Sequence, residues 1–191
     1  MGLVSRCGWT VLAMLLATAA TTARAANVRS PDGQTVVTVD VDRNGAPRYA
    51  VARNGTAVMP AGFLGMRFQS QPAFDDGFRV AGISSSAHDT TWEQPWGERR
   101  FVRDHHRELL VNFESAAGAS RKFNVRVRVF DDGFGFRYEV PQQPGYDAVN
   151  ITDELTEFRL DPDATQEITA WWIPGRRWNR YEYLYNTTPL D

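Results

Sequence analysis

The chain has 191 residues, 23% charged and 12% aromatic, with a formal net charge of −2 and three histidines. That length suits one domain of ordinary size with a sizeable core. A slightly acidic balance with no long basic run argues against nucleic acid as a partner.

The first 25 residues read apart from the rest. Arg6 supplies a positive start, Trp9 to Ala20 is an apolar and small-residue run, and Ala23-Arg24-Ala25 forms an A-x-A cleavage site. This is the layout of a secretory signal peptide, so residues 1–25 are expected to be removed and 26–191 to form the exported domain, secreted or periplasmic. The apolar run is shorter than the roughly 20 residues that span a bilayer, and no membrane anchor is expected. Cys7, the only cysteine, falls inside the signal and precedes the apolar run. A lipid anchor at the cleavage point is therefore excluded, and the mature chain must hold together without disulfides. Loss of Arg6 and Arg24 leaves 19 basic against 23 acidic residues, a net charge of −4.

The mature portion reads as strands. Val37, Val39 and Val41 alternate with polar or mixed neighbours across Thr35 to Asp42, the two-residue period of a sheet with one wet face. Arg48 to Arg53 meets Asn54-Gly55, a strong hairpin turn, before Thr56 to Met59 returns. Glu108 to Glu114 sets Leu109, Val111 and Phe113 on one side. Phe123, Val125, Val127 and Val129 face one way, Asp131-Asp-Gly133 turns the chain, and Phe134, Phe136, Tyr138 and Val140 come back in phase. Antiparallel strands at this spacing predict an all-β sandwich rather than a parallel sheet. Ile151, Leu155 and Phe158 have the spacing of one short helix.

Two segments carry chemistry. Thr91 to His106 gathers Trp92, Trp96, Glu98, Arg103, Asp104, His105 and His106, and Ala170-Trp-Trp-Ile-Pro174 runs on to Tyr181-Glu-Tyr-Leu-Tyr185. Flat rings beside carboxylates and guanidiniums suit a carbohydrate, whose CH-rich faces stack on aromatic rings while its hydroxyls take charged partners. Trp96, Glu98, Arg103, Trp171 and Trp172 are the candidate substrate-binding residues. The competing expectation for the first segment is a long loop, shaped by Pro95 and Gly97, in which Glu98 or Asp104 pairs with Arg99, Arg103 or Arg107. For the second it is ordinary packing, and neighbouring tryptophans on a strand project to opposite faces. Adjacent His105 and His106 also invite zinc, yet no further ligands fall at zinc-site spacing. Thiol, G-x-S-x-G, phosphate-loop and H-E-x-x-H templates are all absent.

Five ordered motifs carry a family resemblance: Ser30-Pro-Asp-Gly33, Trp96-Gly-Glu98 with Arg103-Asp-His105, Asp131-Asp-Gly133 leading into Phe136-Arg-Tyr138, Thr152 to Phe158, and Ala170 to Pro174. Together they resemble the amino-terminal domain of glycoside hydrolase family 97, over essentially the whole mature chain. The resemblance implies a large antiparallel, mutarotase-like super-sandwich, truncated here before a catalytic (β/α)8 barrel. It implies an exported, calcium-dependent exo-α-glycosidase acting on α-glucosides or α-galactosides, with its catalytic carboxylates in the barrel and none in this chain. It also implies that a glutamate of this domain helps bind calcium beside the substrate, and Glu182 in Tyr181-Glu-Tyr183 is the candidate. Its partners would be the α-glycoside and the barrel of the same full-length chain. The alternative is a stand-alone secreted carbohydrate-binding or mutarotase-like sandwich, and the two are separated by the carboxy end, where Tyr181 to Asp191 is expected to lack a terminating strand pair.

Overall fold

The computed structural model describes residues 25–116, 121–160, 169–172 and 184–189. Among them every regular element is a strand. The first four, β1 (Ala26–Arg29), β2 (Thr35–Val41), β3 (Pro47–Arg53) and β4 (Thr56–Phe63), form an antiparallel meander in chain order. β1 was not foreseen; it is four residues long, too short to show a period. Its Ala26 and Val28 are buried, and Ser30 behind them accepts a hydrogen bond from the Thr35 amide at 2.9 Å. Asn54 and Gly55 both adopt positive φ, 51° and 80°, the geometry that makes Asn-Gly the tight link between β3 and β4.

A second meander follows: β6 (Phe78–Glu93), β7 (Phe101–Ser115), β8 (Lys122–Val129) and β9 (Phe134–Glu139), with β5 (Met66–Phe68) before it. The Asp131 to Gly133 turn closes with the Phe130 amide donating to the Gly133 carbonyl at 2.8 Å. Val37, Val39, Val41, Tyr49 and Val51 from the first sheet and Leu109, Val111, Phe113, Phe123, Val125, Val127 and Val129 from the second join one buried cluster. The two sheets therefore face each other as a sandwich, as the alternation of valines required.

Aromatic rings fill one end of this core. Phe123 stacks between Phe74 and Phe113, each with a centroid 5.0 Å away, and meets Phe78 edge-on at 5.0 Å. Two turns tie the sheets at their ends. Asp131 accepts from the Asp32 amide at 2.8 Å and, through its carbonyl, from Arg53 at 3.1 Å, while the Phe78 amide donates to the Gly45 carbonyl at 2.9 Å.

Two expectations are corrected. Ile151 to Phe158 is not helical: β10 (Ile151–Glu154) pairs antiparallel with β5, and the chain continues extended, with the Leu155 amide donating to Gly65 and the Glu157 amide to Phe63. The Ile151, Leu155, Phe158 spacing is a coincidence of an irregular edge, outweighed by the backbone partners that β5 offers. At the carboxy end, β12 (Asn186–Pro189) does pair, with β11 (Thr169–Trp172), in a separate antiparallel two-stranded sheet. Thr187 and Thr188, stiff β-branched residues, supply the strand propensity there.

The outward face of the second sheet is a ladder of ion pairs. Arg126 reaches Glu139 at 2.6 Å and also bonds Glu108, which Arg128 holds at 2.9 Å; Arg137 bonds Glu139 at 2.9 Å. The Arg126 hydrogen bond holds the Glu139 carboxyl down to about 2, against an opposing desolvation and with help from Arg137. A carboxyl more acidic in the folded state stabilises in full above its ordinary value of 4.5, and loses that contribution as pH falls through about 2. Glu139→Gln is expected to lower stability near neutrality by about 1 kcal/mol, since the pair is partly solvated. A wild-type-minus-variant difference in melting temperature that shrinks between pH 4.5 and 2 checks this; a constant difference would refute it.

Candidate functional site

Beyond the four-stranded body, β6 and β7 continue as a two-stranded ribbon. β8 ends opposite β7 at Val129 and Arg107, whereas β6 and β7 pair onward from Ala87 with Arg107 to Glu93 with Phe101. At about 3.4 Å per residue, this arm projects some 20 Å. The expected long loop is thus mostly strand, because Thr90, Thr91, Trp92, Phe101 and Val102 all favour extended backbone. Only Gln94 to Arg100 turns. There the Gln94 amide donates to the Arg100 carbonyl at 2.9 Å and Gly97 takes a φ of 126°.

The tip carries Trp96, 82% exposed, and Glu98, also exposed and without an ion pair or hydrogen bond among the described residues. Glu93, Gln94, Pro95, Trp96, Arg99 and Arg100 line a shallow cavity of about 400 Å³ beside them. Arg100 bonds Glu93 at 2.7 Å and lies over the Phe101 ring at 5.2 Å. The structure thus brings Trp96 and Glu98 onto one turn.

Arg103 lies down the ribbon, away from the tip. It does not pair with Glu98 or Asp104 but grips Asp89 with two hydrogen bonds, at 2.7 and 2.6 Å. The fork to that partner pulls the Asp89 carboxyl below its ordinary range. The reason is register: Arg103 faces Thr91 across the ribbon, with Asp89 on its side, while Asp104 points to the opposite face.

Asp104 serves histidines instead. His106 Nδ1 is 2.5 Å from Asp104 Oδ1, and His88 Nε2 is 3.7 Å from Oδ2. His106 is only 3% exposed, packed between the rings of His88 and Phe130, with centroids 5.0 and 5.1 Å away. This cluster was missed in sequence because residues two apart on a strand share a face and His88 comes from the other strand. Carrying the alternation of Leu109 and Val111 back through the ribbon would have put Asp104 and His106 together. His105, as expected of a strand neighbour, is not in it.

Trp171 and Trp172 belong to β11, paired with Thr187 and Asn186 respectively. Glu182 lies outside the described residues. Among the described residues no three His, Cys, Asp or Glu side chains converge as a metal site. Asp89, Glu93, Glu108 and Glu139 are each engaged by arginine.

The family model for the Glycosyl-hydrolase 97 N-terminal domain matches residues 28–191. The chain belongs to that family. A probable retaining alpha-galactosidase of Streptomyces bingchenggensis (strain BCW-1) is 30% identical over 145 residues, 76% of this chain and 21% of that protein. Among solved structures, a Glycoside Hydrolase Family 97 enzyme from Pseudoalteromonas sp. strain K8, in complex with acarbose and again with panose, superposes with a TM-score of 0.77 at 42% identity. That match covers 86% of this chain and 24% of the enzyme. A beta-arabinopyranosidase superposes with a TM-score of 0.68 at 27% identity, over 84% of this chain and 26% of its own. The family 97 domain described here thus spans about a quarter, or less, of the proteins it matches.

Proposed function

We propose that this family 97 domain is the amino-terminal support of an exported α-glycosidase that hydrolyses α-glucosides or, as a second choice, α-galactosides, with bond cleavage in a domain outside it. One observation carries this: the domain shares its sandwich at 42% identity with an enzyme solved with acarbose and panose, both α-linked oligosaccharides. Hydrolysis of a glycoside takes two carboxyl groups flanking the bond, about 5 Å apart for retention and about 6.5–9.5 Å for inversion. The arginine-paired carboxylates of this domain are poor candidates for that work, which supports a binding and positioning role. Trp96, Glu98, Trp171 and Trp172 are the residues proposed to line the substrate approach. Arg103, committed to Asp89, positions the arm instead.

Glu182 is proposed to give one carboxylate ligand to a calcium ion shared with carboxylates of the catalytic domain. Calcium takes six to eight oxygen ligands, so one glutamate of this domain fits only a shared site. Bound there, the ion would offer positive charge beside the sugar. Export rests on the signal-like start of residues 1–25.

The test is the reading frame expressed to its natural stop codon, assayed on α-glucosides and α-galactosides before and after chelation, beside Glu182→Gln. Expected are hydrolysis by the full product, none by the 191-residue chain, and a need for about tenfold more calcium in the variant, equivalent to about 1.4 kcal/mol. Turnover by the 191-residue chain alone, inertness of the full product on both substrates, or a variant with unchanged calcium demand would each defeat the corresponding part.

A further inference from the structure

Four aromatic rings form a column that runs from the core to the surface. Phe113, Phe123, Phe74 and Tyr146 follow one another at centroid distances of 5.0, 5.0 and 5.1 Å, with interplanar angles of 20°, 10° and 26°. The first three rings are buried and the fourth is only partly so. Phe68 meets the last two edge-on, Phe74 at 4.9 Å and Tyr146 at 5.7 Å, so it stands beside the column and does not cross its end. Tyr146 therefore has one face on Phe74 and the other toward a surface cleft of about 560 Å³ that it lines.

The ring is held in place before any ligand arrives. Its hydroxyl donates to the Pro72 carbonyl at 2.9 Å and its amide to the Gln143 carbonyl at 3.2 Å. Buried Gln143 in turn accepts from the Lys122 amide at 2.7 Å and donates to the Lys122 carbonyl at 2.6 Å. Pro72 and Pro144 line the cleft beside the ring, both with a fixed φ. Polar groups complete the lining. The Ser70 hydroxyl has no partner among the described residues, and Gln71 donates to the Ala148 carbonyl at 3.5 Å, which leaves its side-chain oxygen to accept. Arg121 is fixed by the Ala73 and Asp76 carbonyls at 2.5 and 3.0 Å.

We propose that this cleft is a carbohydrate-binding site, in which one pyranose of an α-linked oligosaccharide stacks its CH-rich face on Tyr146 and bonds Ser70 and Gln71 through its hydroxyls. The sugar becomes the fifth member of the column. A rigid flat ring beside a hydroxyl and an amide oxygen matches the mixed character of a sugar. The cleft also falls within the roughly 300–1,000 Å³ of small-molecule sites. A purely apolar ligand would cut Ser70 and Gln71 off from water without pairing them. The choice of an α-linked sugar rests on the proposed glycosidase reading, whereas the stacking platform does not.

The test is hydrogen exchange on the product read to its stop codon, with and without a sulfur-linked maltotriose, whose bonds resist hydrolysis. Peptides covering Gln69 to Ala73 and Pro144 to Asn150 are expected to exchange at least about threefold more slowly with the sugar, while those of the β2 core keep their rates. Tyr146→Phe retains the flat ring and should retain the protection. Tyr146→Leu keeps apolar bulk against Phe74 without a flat face, and should need about tenfold more sugar for the same protection. Sorbitol, which has hydroxyls but no ring, should protect neither peptide. The inference is overturned by unchanged exchange of the wild-type cleft at saturating sugar, by equal protection from sorbitol, or by a Tyr146→Leu response equal to that of Tyr146→Phe. Hydrolysis of ordinary maltotriose is assayed on the same protein. Hydrolysis without cleft protection defeats only the cleft site, and cleft protection without hydrolysis defeats only the enzymatic reading.

Discussion

Phe123→Ala is expected to remove about 3–5 kcal/mol of folding stability, the range for deleting a fully buried aromatic ring. Phe123 has no exposed surface and is where four ring contacts meet: Phe74, Phe78 and Phe113 at 5.0 Å and Tyr138 at 6.2 Å. Those neighbours come from three strands and a loop, so no single one can move in to fill the space. A domain of this size has about 5–15 kcal/mol in total, and without disulfides there is no covalent reserve. The variant should unfold at a much lower urea concentration with an unchanged slope, and less of it should accumulate in folded form on expression. Phe123→Leu, which keeps most of the volume, should recover more than half of the loss. A Phe123→Ala midpoint within experimental error of wild type would show that this end of the core is loosely packed.

The second large effect comes from one atom. Gly45, in the turn between β2 and β3, has a φ of 76°, and a side-chain carbon added there would lie 2.6 Å from both the Phe78 amide nitrogen and its carbonyl oxygen. The left-handed backbone alone costs a larger residue about 1–2 kcal/mol. The clash adds to it, because the obstacle is backbone and can retreat only by breaking the bond from the Phe78 amide to the Gly45 carbonyl, worth about 1 kcal/mol more. Gly45→Ala is therefore expected to cost about 2–4 kcal/mol. Gly55→Ala is the control: its φ is 80°, but nothing lies within 4 Å of the added carbon, so only the backbone term remains. Equal losses in the two, read from denaturant midpoints, would mean that the approach of Phe78 contributes nothing.

What the sequence made legible divides along physical lines. The valines of β2 and β8 alternate because one face of each is dry and the other wet, and such a pattern needs no knowledge of the partner strand. The outer half of β6 lacks it. From Ser84 to Glu93 every residue is exposed, so no dry face imprints a period, and Pro95 and Gly97 are the strongest local signals in the segment. β5 and β10 escaped for a different reason: three and four residues long, they are made by pairing across more than eighty positions, which local spacing cannot reveal. The candidate site follows the same rule. Trp96 and Glu98 were placed on one turn by Pro95 and Gly97 between and beside them, a local signal. The partner of Arg103 depends on cross-strand register, and the union of Asp104 with His106 and His88 depends on both register and alternation.

Each four-stranded sheet is a meander whose strands pair with their sequence neighbours, whereas Asp32 and Asp131, 99 residues apart, meet only when the sheets close. Order of synthesis then becomes order of assembly. The first sheet is complete once Phe63 has emerged, but its apolar face is fully covered only when β8 arrives some sixty residues later. During that interval the growing chain offers a long-lived adhesive surface, the kind that chaperones hold and that aggregation exploits. A chain held unfolded until both sheets can close in one event avoids this stage, so the timing of release, rather than the strength of any contact, governs how much of the protein survives to fold.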